Sequence, residues 1–322
     1  MTSGFSRREF LAAAGKLAAL SAVPFGAVAG FEPLSSDPKL SYFGKRTAAG
    51  AREIRFGYAA ITWEGNDRQA IEDIAACGYR GIQLRANAIA EFENKPDVVR
   101  QLLEAHHLPM VAFSSGNVDI EKDAESEIAK HALNAKFVHD VGGMYLQVTN
   151  TRPKGRAIIP EDYKHLGHLL TEIGKRTADL GIPLGYHNHM GSLGEAPEEV
   201  DRILDAADPR YVKLELDIAH YFQGGGDPVK AIDSHHDRLL FLHIKDVEKL
   251  DPGKSESKQT YRFVELGRGR VDLKSVFAAL TRVGFRGWAI VELDQVPDKS
   301  RTAKECALIS KKYLEENLGY KI

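Results

Sequence analysis

From Ile54 onward, short apolar runs alternate with longer stretches in which apolar residues recur at a spacing of three and four. The short runs predict β-strands, and the longer stretches predict amphipathic helices. Eight strands are predicted, at Arg55–Ile61, Gly81–Arg85, Met110–Ser114, Met144–Thr149, Pro183–His187, Val212–Asp217, Leu239–Lys245 and Trp288–Leu293. Helices are predicted at Ala70–Cys77, Val98–His106, Ser126–His139, Tyr163–Leu180, Glu198–Ala206, Val229–Ser234, Leu273–Val283 and Thr302–Asn317.

Strands that alternate with helices predict a parallel sheet. Several predicted helices are followed by a glycine that leads into the next strand, as at Gly78, Gly181 and Gly284, where a left-handed helix stop is expected. Eight strand–helix units in about 270 residues match a TIM barrel in length. A doubly wound open sheet is the alternative, but no Gly-x-Gly-x-x-Gly follows the first strand. We therefore predict a single-domain α/β fold, a (β/α)8 TIM barrel, over residues 52–322.

The segment before the barrel has a different pattern. A twin arginine, Arg7 and Arg8, precedes an apolar stretch at residues 11–28, and Ala-Val-Ala at 27–29 has the form of a cleavage site. This arrangement resembles a Tat export signal, whereas the lysine, the proline and the glycines of the stretch argue against a membrane span. We expect a Tat-type signal peptide at 1–29 and a tether at 30–51. The protein is then exported, to the periplasm or the outer face of the membrane, with no stable membrane span after processing.

Composition narrows the class of protein. The 322 residues include 43 Lys and Arg against 45 Asp and Glu, and a net charge of −2 lacks the basic excess of a dedicated nucleic-acid binder. Two cysteines cannot form a disulfide scaffold, so a metal site would rely on His and carboxylate side chains. These features predict an enzyme-sized globular protein without a nucleic-acid partner.

Metal-binding residue types gather near the ends of the last four predicted strands. In a TIM barrel, the carboxyl ends of the strands form the active site. Because side chains alternate between the two faces of a strand, one inward residue from each of four consecutive strands can converge. Those residues are His187, Asp217, His243 and Glu292. Two imidazoles and two carboxylates suit a divalent metal, and we expect Mn²⁺, with Zn²⁺, Co²⁺ or Mg²⁺ as alternatives.

These residues resemble the motifs of the xylose-isomerase-like TIM barrels, which include sugar phosphate isomerases and epimerases, inosose dehydratases and the endonuclease IV group. The resemblance covers essentially the whole chain from Ile54 onward. It rests on Asp-Ile-Ala-His at 217–220, His-Ile-Lys-Asp at 243–246 and Glu292 in Val-Glu-Leu-Asp at 291–294. By that match Asp217, His243 and Glu292 are implied to be metal ligands.

The fifth predicted strand departs from the usual family pattern, because the family ligand there is usually Glu and this chain has His187. His189 and Gln147 are the other candidates for that ligand. His-Met-Gly-Ser at 189–192, Glu-Val-Asp-Arg at 199–202 and Gly-Arg-Gly-Arg-Val-Asp at 267–272 resemble the inosose dehydratase branch. Residues 261–265 lack the Asp-x-His of the endonuclease IV group, which argues against a nuclease.

Enzymes of this group remove a proton from a carbon next to a carbonyl, with a divalent metal as Lewis acid. The resemblance implies a metal-dependent keto-sugar lyase or dehydratase that acts by β-elimination, on a 3-keto-glycoside or an inosose. The expected base is His187 or His189, since only Glu292 remains of the paired Glu bases of the epimerases. The candidates for the acid are Lys245, His220 and Glu265. The residues expected to bind substrate are Gln147, His220, Glu265 and Trp63.

Two alternatives remain open on the sequence. An isomerase or epimerase acting on a free sugar gives a product of unchanged mass, whereas elimination splits the substrate or removes water. A non-catalytic, sugar-binding partner of an oxidoreductase would bind sugar without turnover. The expected partner is in each case a small carbohydrate, and the resemblance is compatible with a homo-oligomer.

Overall fold

The computed structural model describes residues 54–251 and 260–322, so the expected signal peptide at 1–29 and tether at 30–51 lie outside the described residues. Within them, eight parallel strands form a closed barrel. These strands are β1 (Arg55–Ala59), β2 (Ile82–Arg85), β3 (Met110–Val118), β4 (Tyr145–Asn150), β5 (Leu184–His187), β6 (Val212–Asp217), β7 (Leu239–Ile244) and β10 (Trp288–Val291). The barrel closes where β1 pairs with β10, from Arg55 opposite Trp288 to Tyr58 opposite Val291. The predicted (β/α)8 barrel is confirmed.

Helices connect successive barrel strands. They are α1 (Asp67–Ala76), α2 (Asn87–Glu91), α3 (Pro96–Ala105), α4 (Ala124–Val141), α5 (Pro160–Ala178), α6 (Pro197–Ala206), α7 (Ile218–Gln223), α8 (Pro228–His235), α9 (Leu273–Arg282) and α10 (Ala303–Leu318). Each of the eight predicted helices corresponds to one of these, and the short helices α2 and α7 were not predicted. Among residues 54–251 and 260–322, no helix combines the length and the apolar character needed to cross a membrane.

Several predicted strand ends differ from the structure. β3 continues to Val118 rather than ending at Ser114, and β10 ends at Val291 rather than at Leu293. Residues 60–63 form a short 3-10 helix after β1, where the prediction continued the strand to Ile61. Lys245 lies beyond β7, because the chain there leaves the barrel and enters an unpredicted antiparallel hairpin. The hairpin consists of β8 (Asp246–Lys249) and β9 (Tyr261–Val264), with Asp246 opposite Val264. Its position places a two-stranded ribbon between β7 and α9.

The loop before α9 is held by Asp246. Its two carboxylate oxygens accept backbone N–H groups from Val247 at 2.9 Å, Gly267 at 3.0 Å, Gly269 at 2.8 Å and Val271 at 3.1 Å. A Cβ at Gly269 would lie 2.2 Å from Asp246 Oδ1, so a side chain there has no room. The Gly-Arg-Gly pattern at 267–269 therefore lets the loop wrap a carboxylate, which is a structural role.

An apolar layer fills the barrel below the carboxyl ends of its strands. Trp288 and Ile290 of β10 pack with Phe241 of β7 in a buried cluster. Because side chains alternate along a strand, His243 follows Phe241 on the same face, and Glu292 follows Ile290. The polar side chains at 243 and 292 therefore rest on an apolar floor from which water is excluded.

The junction between α1 and α2 contains a close pair of acidic side chains, of which Asp67 is buried and Glu91 is partly exposed. Asp67, at the start of α1, is 1% exposed, and its Oδ2 accepts a hydrogen bond from Asn87 Nδ2 at 2.8 Å. Glu91 accepts the backbone N–H groups of Asp67 at 3.0 Å and Arg68 at 3.2 Å. Burial, followed by the charge of Glu91, raises the pKa of Asp67 to about 7. The folded protein therefore holds a proton at this site more tightly than the unfolded chain does.

We expect the folding stability contributed by Asp67 to be greatest at acidic pH and to fall as the pH rises toward about 7, because deprotonation leaves a buried negative charge next to the carboxylate of Glu91. Asp67→Asn keeps the hydrogen-bonding shape without the charge, so its free energy of unfolding should depend less on pH. Urea unfolding between pH 5 and pH 8 measures this slope. Asp97→Asn, an exposed substitution, is the matched control, and an unchanged slope in Asp67→Asn would contradict the assignment.

Candidate metal centre

Four buried side chains from consecutive strands converge at the carboxyl end of the barrel. They are His187 of β5, Asp217 of β6, His243 of β7 and Glu292, just after β10. Each offers one ligand atom, and the four atoms lie within 4.8 Å of one another. His243 Nδ1 is 2.8 Å from Glu292 Oε2 and 3.7 Å from Asp217 Oδ2. The structure thus brings together the four side chains that the sequence suggested as metal ligands.

Asp217 is positioned by the start of α7. Its Oδ1 accepts the backbone N–H groups of Ala219 at 2.9 Å and His220 at 2.7 Å. An Asp at this position satisfies N–H groups that have no partner within the helix. The second oxygen, Oδ2, is buried and has no hydrogen-bond partner in the described part of the chain. One oxygen of this carboxylate is therefore structural, and the other is free to bind a cation.

Asn188 fixes the backbone at Asp217. Its side-chain amide donates to the Asp217 carbonyl oxygen at 3.1 Å, and the Asp217 N–H donates to Asn188 Oδ1 at 2.9 Å. Asn188 is fully buried and follows the last residue of β5. The side chain therefore extends the pairing of β5 with β6 by one position, and it holds the two ligand-bearing strand ends in register.

The buried polar atoms of the cluster fit a metal ion. Within the described ranges, Asp217 Oδ2 and His243 Nδ1 make no hydrogen bond of good geometry. Buried polar atoms are rarely left in that state. Two ligands of one ion with bonds of about 2.1 Å lie near 3 Å apart, close to the 2.8 Å between His243 Nδ1 and Glu292 Oε2. A shell of imidazoles and carboxylates suits Mn²⁺, Zn²⁺, Co²⁺ or Mg²⁺.

The electrostatics of the cluster also favour a cation. Burial lowers the pKa of His243, but the carboxylates of Glu215 and Glu292 outweigh it and raise that pKa well above its ordinary value. Burial raises the pKa of Asp217, but the neighbouring imidazole and ammonium groups outweigh it and hold that pKa well below its ordinary value. Positive charge is therefore stabilised here, and either a proton or a metal ion can supply it.

A cavity of about 580 Å³ opens beside the cluster, and His187, His243 and Glu292 form part of its wall. Its volume is typical of small-molecule sites. Gln147 and Thr149 of β4 also line it. Their side-chain oxygens are buried and have no hydrogen-bond partner among the residues described. Such groups suit a ligand that carries several hydroxyls.

His189 lies on the cavity wall next to the cluster. Its Nδ1 is 2.6 Å from the Met190 carbonyl oxygen, which can only accept, so Nδ1 carries the hydrogen. Burial, followed by the charges of His187 and Lys245, lowers the pKa of His189. Neutral His189 therefore has an unprotonated Nε2.

Lys245, suggested by the sequence as a catalytic acid, lies behind the cluster and is not part of the cavity wall. Its Nζ is 2.5 Å from Asp294 Oδ1 and 3.1 Å from Glu292 Oε2, and it lies 4.2 Å from the ring centre of Phe263. Burial lowers the pKa of Lys245, but the carboxylates outweigh it and raise that pKa, so the ammonium keeps its proton. We therefore reassign Lys245 as a counter-charge of the cluster.

Three other predicted residues do not line the cavity. His220 is buried in α7, with Nε2 3.3 Å from Lys245 Nζ. Glu265 is buried against Arg301, with which it forms an ion pair. The Trp63 indole N–H donates to a carboxylate of α1 at 2.9 Å. These side chains are engaged in packing and ion pairs, and their roles as substrate contacts or acids stay predictions.

A second group of possible ligands consists of His187, His189 and His220. The Lys245 ammonium lies next to His220, and Nδ1 of His189 is engaged by a backbone carbonyl. This group contains no carboxylate, whereas the group of His187, Asp217, His243 and Glu292 contains two, which offset the charge of a divalent ion. The four-residue group is therefore the better candidate for a metal position.

Comparison with known proteins identifies the family. Residues 71–312 match the family model described as xylose isomerase-like TIM barrel. The chain belongs to this family.

Two curated relatives are named inosose dehydratase. The one from Lacticaseibacillus casei is 27% identical over 299 residues, which cover 83% of this chain and 98% of the relative. The one from Bacillus velezensis is 28% identical over 302 residues, which cover 84% of this chain and 98% of the relative. Among solved structures, the chain is similar to the IolI protein with a bound zinc atom, with a TM-score of 0.71 and 20% identity, covering 84% of this chain and 100% of that one.

Sequence reasoning in this xylose isomerase-like barrel missed several residues around the ligands. Asn188 and Glu215 were not among the predicted site residues. Nor was Gln83 on β2, although its Oε1 is 2.8 Å from His243 Nε2. Strand alternation could have identified Glu215, since it lies two residues before a ligand. Gln83 lies 160 residues before His243, and only closure of the barrel brings the two side chains together.

We expect Asp217→Asn to weaken binding of Zn²⁺ or Mn²⁺ by at least about 100-fold while leaving the helix cap in place, because Asn keeps an acceptor oxygen but lacks the charge. Asp217→Ala should lose the metal-binding charge and also the helix cap, and loss of the cap should lower the free energy of unfolding by about a further 0.5–2 kcal/mol. Calorimetric titration with metal and urea unfolding in EDTA measure the two effects separately.

Asp227 is the matched control for these variants, because its Oδ1 caps α8 at the Val229 N–H away from the cluster. Asp227→Ala should destabilise the protein without changing metal affinity. Metal binding by Asp217→Asn at the affinity of the unsubstituted protein would contradict the proposed ligand set.

Proposed function

We propose that this protein is a metal-dependent keto-sugar dehydratase or lyase that removes a proton next to a carbonyl and eliminates a β-substituent. The observation that carries the proposal is the presence of His189, with an unprotonated nitrogen, on the same cavity wall as the His187, His243 and Glu292 ligands. Relatives named inosose dehydratase, matched over 98% of their own length, support the same reaction class.

The metal position supports this chemistry. A divalent ion held by His187, Asp217, His243 and Glu292 would act as a Lewis acid toward the substrate carbonyl oxygen. The mixed shell is compatible with Mn²⁺, which the sequence suggested first, and a zinc atom is bound in the solved IolI structure. Comparing activity with Mn²⁺, Zn²⁺, Co²⁺ and Mg²⁺ after chelation identifies the working ion.

We assign the base to His189 rather than to His187. His187 Nδ1 is 3.3 Å from Glu215 Oε2, which leaves its other nitrogen for the metal position. His189 lies on the cavity wall, and its Nδ1–H is held by the Met190 carbonyl, so its Nε2 can accept the α-proton. Hydrogen-bond reach to the proton is the first requirement of a general base.

The same geometry indicates which residue supplies the proton to the leaving group. None of Lys245, His220 and Glu265 lines the cavity. We therefore propose that the imidazolium formed at His189 returns its proton to the departing oxygen. The C–H bond and the β C–O bond break, a C=C bond forms next to the carbonyl, and water or an alcohol leaves. No oxidant or reductant is needed.

We expect His189→Asn to lower turnover of 3-keto-glucoside or inosose by about 10²- to 10⁴-fold, because Asn can keep the hydrogen bond to Met190 but cannot accept the α-proton. Metal affinity should stay within about threefold of the unsubstituted protein, since His189 is not one of the four ligands. Mass spectrometry of the products formed in D₂O with added Mn²⁺ measures the reaction, and His236→Asn on the exposed surface is the control.

Loss of water or release of an aglycone establishes elimination. Deuterium gained at unchanged connectivity would instead indicate an epimerase or isomerase acting at the same site. Sugar binding without turnover under any metal would support the non-catalytic alternative and contradict the proposal.

We further propose that the protein acts outside the cytoplasm on unphosphorylated keto-sugars. The twin arginine at 7–8 and the cleavage pattern at 27–29 support export. Sugar phosphates are mainly intracellular, so an exported enzyme of this class would encounter free sugars or glycosides.

Replacing both Arg7 and Arg8 with Lys should keep the full-length protein in the cytoplasmic fraction of a Tat-competent host, because the Tat pathway depends on the arginine pair. Cell fractionation with immunodetection measures this. The unsubstituted protein in a Tat-deficient host is the control, and its appearance in the periplasm there would contradict Tat export.

A further inference from the structure

Glu215 of β6 faces two of the candidate ligands at once, His187 and His243. Its side chain is fully buried and is not part of the cavity wall. One oxygen, Oε1, is 2.8 Å from His243 Nε2, and the other, Oε2, is 3.3 Å from His187 Nδ1. A single carboxylate thus lies between imidazoles on the strands to either side of it.

The register of the barrel explains this placement. Glu215 pairs with His187 of β5 on one side and with Phe241 of β7 on the other. A Cβ at Gly185 would lie 3.4 Å from the Glu215 Cβ and 3.3 Å from the Phe241 ring, so the glycine leaves space beside this carboxylate. Buried apolar neighbours strengthen its interaction with the imidazoles, because the local dielectric is low.

The contacts of Glu215 determine which nitrogen of each histidine carries hydrogen. Gln83 Oε1, which can only accept, is hydrogen-bonded to His243 Nε2 at 2.8 Å, so this nitrogen carries hydrogen. A carboxylate also only accepts, so the ion-pair distances to Glu215 favour hydrogen on the same His243 Nε2 and on His187 Nδ1. A metal ion that displaced the second proton of His243 would meet the lone pair of Nδ1, the nitrogen that faces Glu292 at 2.8 Å and Asp217 at 3.7 Å. For His187 the nitrogen left for a ligand bond is Nε2.

We propose that Glu215 is a shared positioning residue, which orients both histidine ligands through their non-ligating nitrogens and adds negative charge next to the metal position. Carboxylates that hold a metal-bound histidine fix its tautomer and raise its basicity. Glu215, Asp217 and Glu292 supply three carboxylates, and Lys245, the ammonium beside them, also contacts Asp294, so negative charge is in excess and a divalent ion would reduce that excess. This inference rests on the metal position of the proposed function, but not on the reaction assigned to it.

Glu215→Gln tests the proposal, because Gln has nearly the same volume but only one acceptor oxygen. One of the two imidazoles would then face an amide N–H group and would have to change tautomer or rotate. We expect affinity for Zn²⁺ to fall about 10- to 100-fold and the visible absorption spectrum of bound Co²⁺ to change. The metal-free protein should unfold at a similar urea concentration, since the substitution removes a buried charge and leaves no cavity.

Glu199→Gln is the matched control. Glu199 is a buried carboxylate with four partners outside the cluster: it accepts hydrogen bonds from Arg152 at 3.0 Å, from Tyr163 at 2.8 Å and from the backbone N–H groups of residues 195 and 196. This variant should lose stability while keeping Zn²⁺ affinity and the Co²⁺ spectrum. The opposite pattern is expected for Glu215→Gln, and a purely structural role for Glu215 would make the two variants behave alike.

Glu215→Asp provides a second test that does not depend on the folding of the Gln variant. Asp keeps the charge but is shorter, so it cannot contact both imidazoles, and we expect an intermediate loss of Zn²⁺ affinity. Affinity and Co²⁺ spectrum equal to those of the unsubstituted protein, in either variant, would overturn the inference. Because both readouts are taken without substrate, that result would leave the dehydratase proposal standing. Normal metal binding without keto-sugar turnover would overturn the dehydratase proposal alone.

Discussion

Burial of three carboxylates at one end of an apolar barrel is the constraint on which the site depends. Glu215, Asp217 and Glu292 lie above a floor that includes Phe241 and Ile290, where uncompensated negative charge would be strongly destabilising. Lys245 compensates part of this charge and is itself held by carboxylates on two sides. The negative charge that Lys245 does not compensate raises the affinity of the cluster for protons and for a divalent cation. Metal binding and barrel stability are therefore coupled through the same groups.

Several polar side chains near the cluster hold the backbone in place as well as contributing to the site. Asp217 caps α7 with one oxygen and presents the other to the cluster. Asn188 replaces missing strand pairing with side-chain hydrogen bonds and so fixes the position of that carboxylate. Asp246, one residue after Lys245, accepts four backbone N–H groups and holds the loop that follows the hairpin. The ligands are thus placed by backbone contacts as well as by packing, which keeps a highly charged site in one geometry.

The alternation of apolar and amphipathic segments was enough to predict the eight strands and the barrel, because each unit is local in sequence. The four converging residues were also accessible, since strand alternation and strand order together place His187, Asp217, His243 and Glu292 at one end. The features that could not be predicted are contacts between side chains that lie far apart in the sequence. Lys245 lies after its strand has ended and turns toward Asp294, while Glu265 pairs with Arg301 from a distant part of the chain. Such pairings depend on how the barrel closes, and no local pattern records them.

The two histidines at the end of β5 show how a local change of direction separates two roles. In an extended strand His187 and His189 would share a face and be interchangeable, which is why the sequence left the base unassigned. In the structure β5 ends at His187, and the next residues turn, with the Ser192 hydroxyl and N–H donating to the His189 carbonyl oxygen at 2.7 Å and 3.2 Å. Both side chains line the cavity, but His187 lies against the buried Glu215 carboxylate, whereas His189 has its Nδ1 held by a backbone carbonyl. A ligand needs a buried carboxylate behind it and a base needs access to substrate, and the end of one strand supplies both environments two residues apart.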